Sequence, residues 1–267
     1  MMGISILGCG WMGLPLAVSL IKKGYYVKGS TTTSEKMALL KDKQILPFVI
    51  TVNTTVISGN MSEFLDGSEL LIINIPPGMR NNSEEKFSKK IAKLLPYIEN
   101  SSIQKVILVS STTVYGMASG IITEATTPQP ITSSAKELIA AEDLLRGSTT
   151  RFATTVIRFG GLVGKDRHPV KFLSGKKNLA NPKGNINFIH QDDCIGLIKA
   201  VINKNYFGKT INGVYPHHPE RATYYTEMAK QFSIEPPQFD ATSPSETRKI
   251  LSLYVESELG YRLKKSV

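Results

Sequence analysis

The chain has 267 residues, 41% of them hydrophobic, and a formal net charge of +10, enough to bury one large α/β core or a larger and a smaller one. No apolar run approaches the roughly 20 residues that span a bilayer, and Met1–Leu7 carries neither a basic leader nor a small-residue cleavage site, so the expectation is a cytoplasmic protein without membrane contact. The two cysteines, Cys9 and Cys194, are too few for a disulfide framework or a zinc site; they read as reduced and buried, and no metal is expected.

Ile4–Leu7 is a short β-prone run, and Leu14–Lys23 follows with a helical pattern that Gly24 closes. Between them stands Gly8-Cys9-Gly10-Trp11-Met12-Gly13. Gly8 permits a tight turn, and Gly10 lets a pyrophosphate approach bare backbone. Gly13, helped by Ala17, lets the helix pack close to the strand while its first amides face the phosphates. Strand, glycine loop and helix in that order point to a Rossmann unit that binds NAD or NADP, with Trp11 and Met12 inside the binding loop.

Tyr25–Lys28 reads as the second strand. About twenty residues beyond the loop, where a carboxylate would hold the ribose of NAD, the chain reads Lys28-Gly29-Ser30-Thr31-Thr32-Thr33-Ser34-Glu35-Lys36. No acid ends that strand. The hydroxyls of Ser30, Thr31 and Thr32 with Lys36 favour the 2′-phosphate of NADP, although a solvated turn explains the same residues.

Leu70–Ile75 suits a parallel strand buried on both faces, stopped by Pro76-Pro77-Gly78. Asn74 and Pro76 at its end are expected to line the nicotinamide half, and Arg80, followed by Asn81 and Asn82, to reach an anionic substrate or to sit in an exposed turn. A helix is predicted from Ser83 or Glu84 to about Ile98, with Phe87, Ile91, Leu94 and Leu95 as its apolar stripe. Lys105–Val109 is a strand, Thr132–Arg146 a helix closed by Gly147, and Thr154–Arg158 a further strand. This alternation predicts a doubly wound parallel sheet whose ligands lie beyond the carboxyl ends of its strands.

Past Gly160 the pattern loosens. Ile186–Ile189 reads as a strand, Cys194–Ile202 as a helix capped by Asp192 or Asp193, Tyr224–Phe232 as a helix and Ser257–Gly260 as a terminal turn. The organisation expected is an NAD(P)-binding Rossmann domain over 1–160 and a smaller substrate-binding lid over 161–267, with about 185–203 returning to the main sheet.

Lys165, Arg167, Lys171, Lys176, Lys177 and Lys183 stand against the single Asp166 in residues 165–184, a candidate anion clamp that carries about half the net charge. Elsewhere the lysines scatter over helix faces without aromatic interleaving, which argues against nucleic acid and for a small anionic substrate. His190 beside Asp193 has a structural explanation, because the following helix needs a cap. His217 and His218 lack a third ligand at metal spacing.

As an ordered set, Gly8–Ala17, Val109-Ser110-Ser111-Thr112-Thr113-Val114-Tyr115-Gly116, Arg158-Phe159-Gly160-Gly161-Leu162-Val163-Gly164 and Phe188-Ile189-His190-Gln191-Asp192-Asp193 resemble the extended short-chain dehydrogenase/reductases, the NAD-dependent epimerase/dehydratase family, and in particular their atypical bacterial members. The resemblance covers nearly the whole chain. In that family a tyrosine, held by a lysine four residues later, exchanges a proton with the substrate while a serine or threonine polarises the same oxygen. The resemblance assigns Ser111 to the polarising hydroxyl and Lys136 to the lysine, which would hold the nicotinamide ribose; a solvated surface lysine is the plainer alternative.

Thr132 stands where the tyrosine should be. A tyrosine has an unperturbed pKa near about 10, whereas an aliphatic hydroxyl is a far weaker acid, so Thr132 donates a hydrogen bond but does not replace the base. Tyr115 matches a structural or pocket residue of the family. A homodimer through helices near 84–98 and 133–146 is also implied.

The glycine spacing is the shorter form and is similar to that of β-hydroxyacid dehydrogenases around Trp11-Met12-Gly13-Leu14-Pro15, but those enzymes end in a long all-helical domain that the loop-rich C-terminal half does not supply. The expectation is an NAD(P)-dependent oxidoreductase or epimerase/dehydratase-like enzyme with a degenerate active site, acting on a nucleotide-linked or phosphorylated sugar or a related carbonyl compound. The alternatives are a non-catalytic NADP(H)-binding redox sensor and a β-hydroxyacid dehydrogenase-like enzyme.

Overall fold

A computed structural model describes residues 2–78, 86–147 and 151–266. The chain runs β1 (Gly3–Leu7), α1 (Gly13–Ile21), β2 (Tyr26–Thr31), α2 (Lys36–Asp42), β3 (Leu46–Val49), β4 (Thr51–Val52), β5 (Ile57–Ser58), α3 (Met61–Leu65) and β6 (Leu70–Ile73). It continues through α4 (Phe87–Glu99), β7 (Lys105–Ser111), a 3-10 turn over Thr112–Tyr115, β8 (Gly120–Ile122), α5 (Ser133–Gly147), β9 (Ala153–Phe159), β10 (Gly161–Val163) and α6 (Val170–Leu173). Last come β11 (Phe188–His190), α7 (Gln191–Asn203), β12 (Thr210–Gly213), α8 (Arg221–Gln231), β13 (Arg248–Ile250) and α9 (Leu253–Ser257).

Seven strands form one parallel sheet in the order β12-β9-β7-β6-β1-β2-β3. The order reverses between β1 and β6, and such a switch opens a crevice beyond the strand ends. Both faces of the sheet are covered, which is why its central strands are apolar without alternation. Ile4, Leu70, Ile72 and Ile107 pack with Leu16, Leu20 and Leu197 of α1 and α7. Leu71, Ile73, Val106 and Leu108 face the other way, onto Phe64, Phe87, Ile91 and Leu138 of α3, α4 and α5. A third, smaller core gathers Val170, Ile186, Tyr224, Tyr225 and Ala229. Among the described residues no helix is long and apolar enough to cross a membrane.

The fold is the parallel α/β architecture expected, with differences at its margins. Of the predicted stripe, Phe87, Ile91 and Leu94 are fully buried and Leu95 is half-buried, while the predicted start of that helix at Ser83 or Glu84, and Arg80 with it, lies outside the described residues. The predicted strand at 186–189 is β11, which pairs in parallel with β10 and not with the main sheet. The returning strand is β12, which extends the edge beside β9. Its sequence, Thr-Ile-Asn-Gly, hides it: Asn212 is buried for its hydrogen bonds, and Gly213 is needed because a Cβ there would meet the Phe159 ring at 2.5 Å.

The cap of α7 is also corrected. His190 Nδ1 accepts from the Asp192 amide at 3.1 Å and serves as the cap. Asp193, 1% exposed, instead accepts from Tyr261 Oη at 2.8 Å and from the amides of Lys264 and Lys265 at 3.0 and 2.8 Å. It pins the C-terminal tail to the start of α7. That partner is more than sixty residues away, so local spacing carried no trace of it.

Candidate functional site

The glycine loop lies at the sheet's reversal, and each glycine has its own physical reason. Gly8 has φ +104°, and a Cβ there would come 2.8 Å from the Asn74 carbonyl oxygen. At Gly13 a Cβ would sit 2.1 Å from the Gly8 carbonyl oxygen, so only glycine lets α1 start this close to β1. Gly10 differs: a Cβ there meets nothing within 4 Å, because the position faces open space.

Neighbouring strands hold the loop in place. The Gly8 amide donates to Ser30 Oγ at 2.8 Å, the Cys9 amide donates to the Ser30 carbonyl at 2.8 Å, and Asn74 Nδ2 donates to the Gly8 carbonyl at 3.0 Å. By contrast, among the described residues the amides of Gly10, Trp11 and Met12 have no hydrogen-bond partner, and Met12 gives α1 no side-chain cap. Unpaired amides at the positive end of a helix, beside a position with no side chain, make a cradle for an anion. The residues present therefore fit a dinucleotide diphosphate.

Ser30 and Thr31 are buried, and Ser30 spends its hydroxyl on the loop. Thr32 and Lys36 are exposed beyond the end of β2, as is Pro76 beyond β6. Burial pushes the Cys9 thiol up to about 12, so it stays protonated beneath the loop.

Ser111 ends β7 at the same edge of the sheet. Its Oγ accepts from the Thr113 amide at 3.2 Å and from Thr113 Oγ1 at 3.1 Å, which commits its lone pairs and leaves its own proton to donate outward. Thr132 Oγ1 accepts from the Ala135 amide at 3.2 Å, and thereby caps α5. Lys136, one turn further on, is exposed. Helix α5 packs on β7 and on the turn after Ser111, which puts Ser111 and Lys136 on neighbouring elements.

Beneath Ser111 runs a buried polar layer that the sequence did not reveal. Ser110, Arg158 and Asn212 stand in register on β7, β9 and β12. Glu142 of α5, fully buried, takes two hydrogen bonds from Arg158 at 3.2 and 2.6 Å and one from Ser110 Oγ at 2.7 Å. Arg158 also donates to Tyr115 Oη at 3.2 Å, and Tyr115 donates to Asn212 Oδ1 at 2.7 Å. Burial pushes the Tyr115 phenol up, so this tyrosine stays neutral and supports the turn rather than acting as a base.

A cavity of about 240 Å³ opens beside this turn, lined among others by Thr113, Asn187, Arg221, Tyr225 and Arg248. Thr113 hydrogen-bonds Ser111, so the cavity adjoins the candidate hydroxyl. A larger groove of about 690 Å³, around Glu63, Asp66 and Tyr97, opens just before the starts of β6 and β7 and belongs to the other end of the sheet.

Residues 3–129 match the family model described as the NAD binding domain of 6-phosphogluconate dehydrogenase. Protein YeeZ of Escherichia coli (strain K12) is 31% identical over 261 residues, which cover 97% of this chain and 94% of that protein. The chain belongs to the YeeZ family. Its fold is shared with UDP-glucuronic acid 4-epimerase from Bacillus cereus, in complex with NAD, at a TM-score of 0.83 and 18% identity, over 99% of this chain and 93% of that one. UDP-glucose 4-epimerase from Thermotoga maritima, with UDP-glucose, gives a TM-score of 0.83 and 15% identity, over 99% and 94%.

In this YeeZ-family chain none of the cations of the expected anion clamp over residues 165–184 lines that cavity. Lys165, Lys176, Lys177 and Lys183 are exposed, and Lys171 Nζ lies 5.3 Å from the centre of the Phe232 ring. The cations lining the cavity are Arg221 and Arg248, from two distant segments. Arg221 follows Glu220 and Arg248 precedes Lys249, and neither pair belongs to a motif that marks it. His217 is exposed, while His218 Nδ1 sits 3.2 Å from the Ile186 carbonyl as part of a loop.

Proposed function

We propose that this protein is a nicotinamide-dinucleotide-dependent oxidoreductase of epimerase/dehydratase type, acting on a small anionic compound such as a phosphorylated or nucleotide-linked sugar. The reading is carried by Gly10, which presents no side chain to open space among unpaired amides at the start of α1. When bound there, a nicotinamide dinucleotide supplies hydride transfer. Ser111 polarises the substrate oxygen with its uncommitted proton, Lys136 holds the nicotinamide ribose, and Thr132 orders the start of α5. Arg221 and Arg248 receive the substrate's anionic group, supported by their place on the cavity that Thr113 joins to Ser111. Thr32 and Lys36, exposed past β2 with no carboxylate ending that strand, favour NADP over NAD.

Calorimetry with NAD, NADH, NADP and NADPH, followed by turnover assays on sugar nucleotides and sugar phosphates, tests the proposal. Binding is expected, tighter for the NADP forms, with turnover that falls by about two orders of magnitude in Ser111→Ala. Heat with no pyridine nucleotide would overturn it. A second reading, a redox sensor that binds NADP(H) without turnover, is favoured by the commitment of Thr132 to the helix cap, which leaves the tyrosine's place without a proton-transfer group. Tight binding without turnover across the panel selects that reading.

A further inference from the structure

We propose that Arg167 is an anion-contacting residue of the dinucleotide site, seated on Trp11 so that its guanidinium meets the diphosphate received by the loop amides. This rests on the dinucleotide reading given above. Trp11 is the only tryptophan of the chain, and it is fixed from three sides. Gln191 Nε2 donates to its carbonyl at 2.5 Å. Gly164 lies so close to the indole that a Cβ there would come 2.8 Å from Trp11 Cζ2. The guanidinium carbon of Arg167 stands 5.1 Å from the centre of the ring.

The backbone places Arg167 independently of this stacking. Its carbonyl accepts from the Gly164 amide at 2.8 Å, and its amide donates to the Gly164 carbonyl at 3.1 Å, closing a tight turn directly after β10. One turn thus supplies both the bare backbone against the indole and the cation over it. The C-terminal half of the chain in this way reaches the phosphate loop of the N-terminal half.

Charge then decides what the arrangement is for. Among the described residues the guanidinium of Arg167 forms no ion pair and no side-chain hydrogen bond, and Lys165 and Asp166, which precede it and are exposed, balance each other in charge without pairing with it. A guanidinium over the side chain of Trp11, whose own amide is unpaired at the positive end of α1, adds like charge to that helix end, which is favourable when an anion is bound there. Stacked on an indole, an arginine keeps its in-plane N–H groups free, and their fork matches two phosphate oxygens. The other cations of residues 165–184 lack this geometry, since Lys171 is turned to Phe232.

The test uses the intact protein. Binding of NADH, NADPH, ADP and adenosine is followed by Trp11 fluorescence and by calorimetry in wild type, Arg167→Ala and Arg167→Met. Both variants are expected to weaken the dinucleotides and ADP by about 10- to 100-fold, the range of a lost charge-assisted hydrogen bond, with adenosine unchanged. Methionine, which keeps an apolar stem over the indole without its charge, is expected to do no better than alanine. Affinities within twofold of wild type, rescue by methionine, or an equal loss for adenosine would each overturn the assignment. A wild type that binds no dinucleotide overturns the underlying reading, a failure seen before any substitution is made.

Discussion

At the residue scale, the glycines of the loop separate into those that the fold demands and one, Gly10, that faces open space where the proposed ligand would lie. Gly13 is demanded by the Gly8 carbonyl, whereas Gly10 has no protein atom near enough to demand it. Gly13→Val should therefore cost about 1–3 kcal/mol of stability through overpacking, read by denaturant unfolding. Gly10→Val should leave stability within about 0.5 kcal/mol and abolish dinucleotide binding instead. Equal destabilisation by the two would contradict this division. The loop was legible in the sequence because a backbone requirement can only be met by writing glycine. Arg221 and Arg248 were not legible, because their convergence depends on where the starts of α8 and β13 meet in space and no local pattern encodes that meeting.

At the element scale, the strands that announce themselves are those covered on both faces. Leu70-Leu71-Ile72-Ile73 reads as a strand because alternate residues go to two different cores, leaving no room for a polar side chain. The edges stay hidden: β3 contains Pro47, tolerated at a sheet margin, and β12 spends Asn212 and Gly213 on contacts that no propensity reflects. What joins the elements at the site is equally invisible, since the Glu142–Arg158 pair links α5 to β9 and carries Ser110 with it. Removing one partner leaves a buried charge uncompensated. Glu142→Ala should cost about 3–5 kcal/mol in equilibrium unfolding, and Glu142→Leu with Arg158→Leu should recover much of it. An additive double variant would show that the two residues do not act as a pair.

For the whole molecule, the third core brings a dependence on acidity. His168 sits on Tyr224, with Nε2 2.9 Å from Tyr224 Oη, and its Nδ1 accepts from the Val170 amide at 3.2 Å, an arrangement that requires a neutral ring. Burial holds His168 below its ordinary value of 6.5, with a smaller push from Lys171. Burial does the same to His218. A group depressed in the folded state stabilises above its unfolded pKa, and that contribution is lost as pH falls below it. Thermal unfolding should thus move to lower temperature between pH 7 and pH 5, more steeply in wild type than in His168→Gln; parallel slopes would rule out this histidine as the source. The C-terminal half of the chain, where this core lies, mixes short strands with helices and is not the all-helical domain of a β-hydroxyacid dehydrogenase.

The wholly parallel pairing of the seven strands has one more consequence, and it concerns time. No neighbouring pair in that sheet is a hairpin; even Lys28 and its partner Leu46 are separated by α2, and β1 waits for β6 from far along the chain. Every rung must first close a long loop, so refolding from denaturant belongs to the slow regime of non-local topologies, during which bare strand margins are exposed to other copies. Dilute refolding, or a chaperone in the cell, is the natural companion of such a sheet.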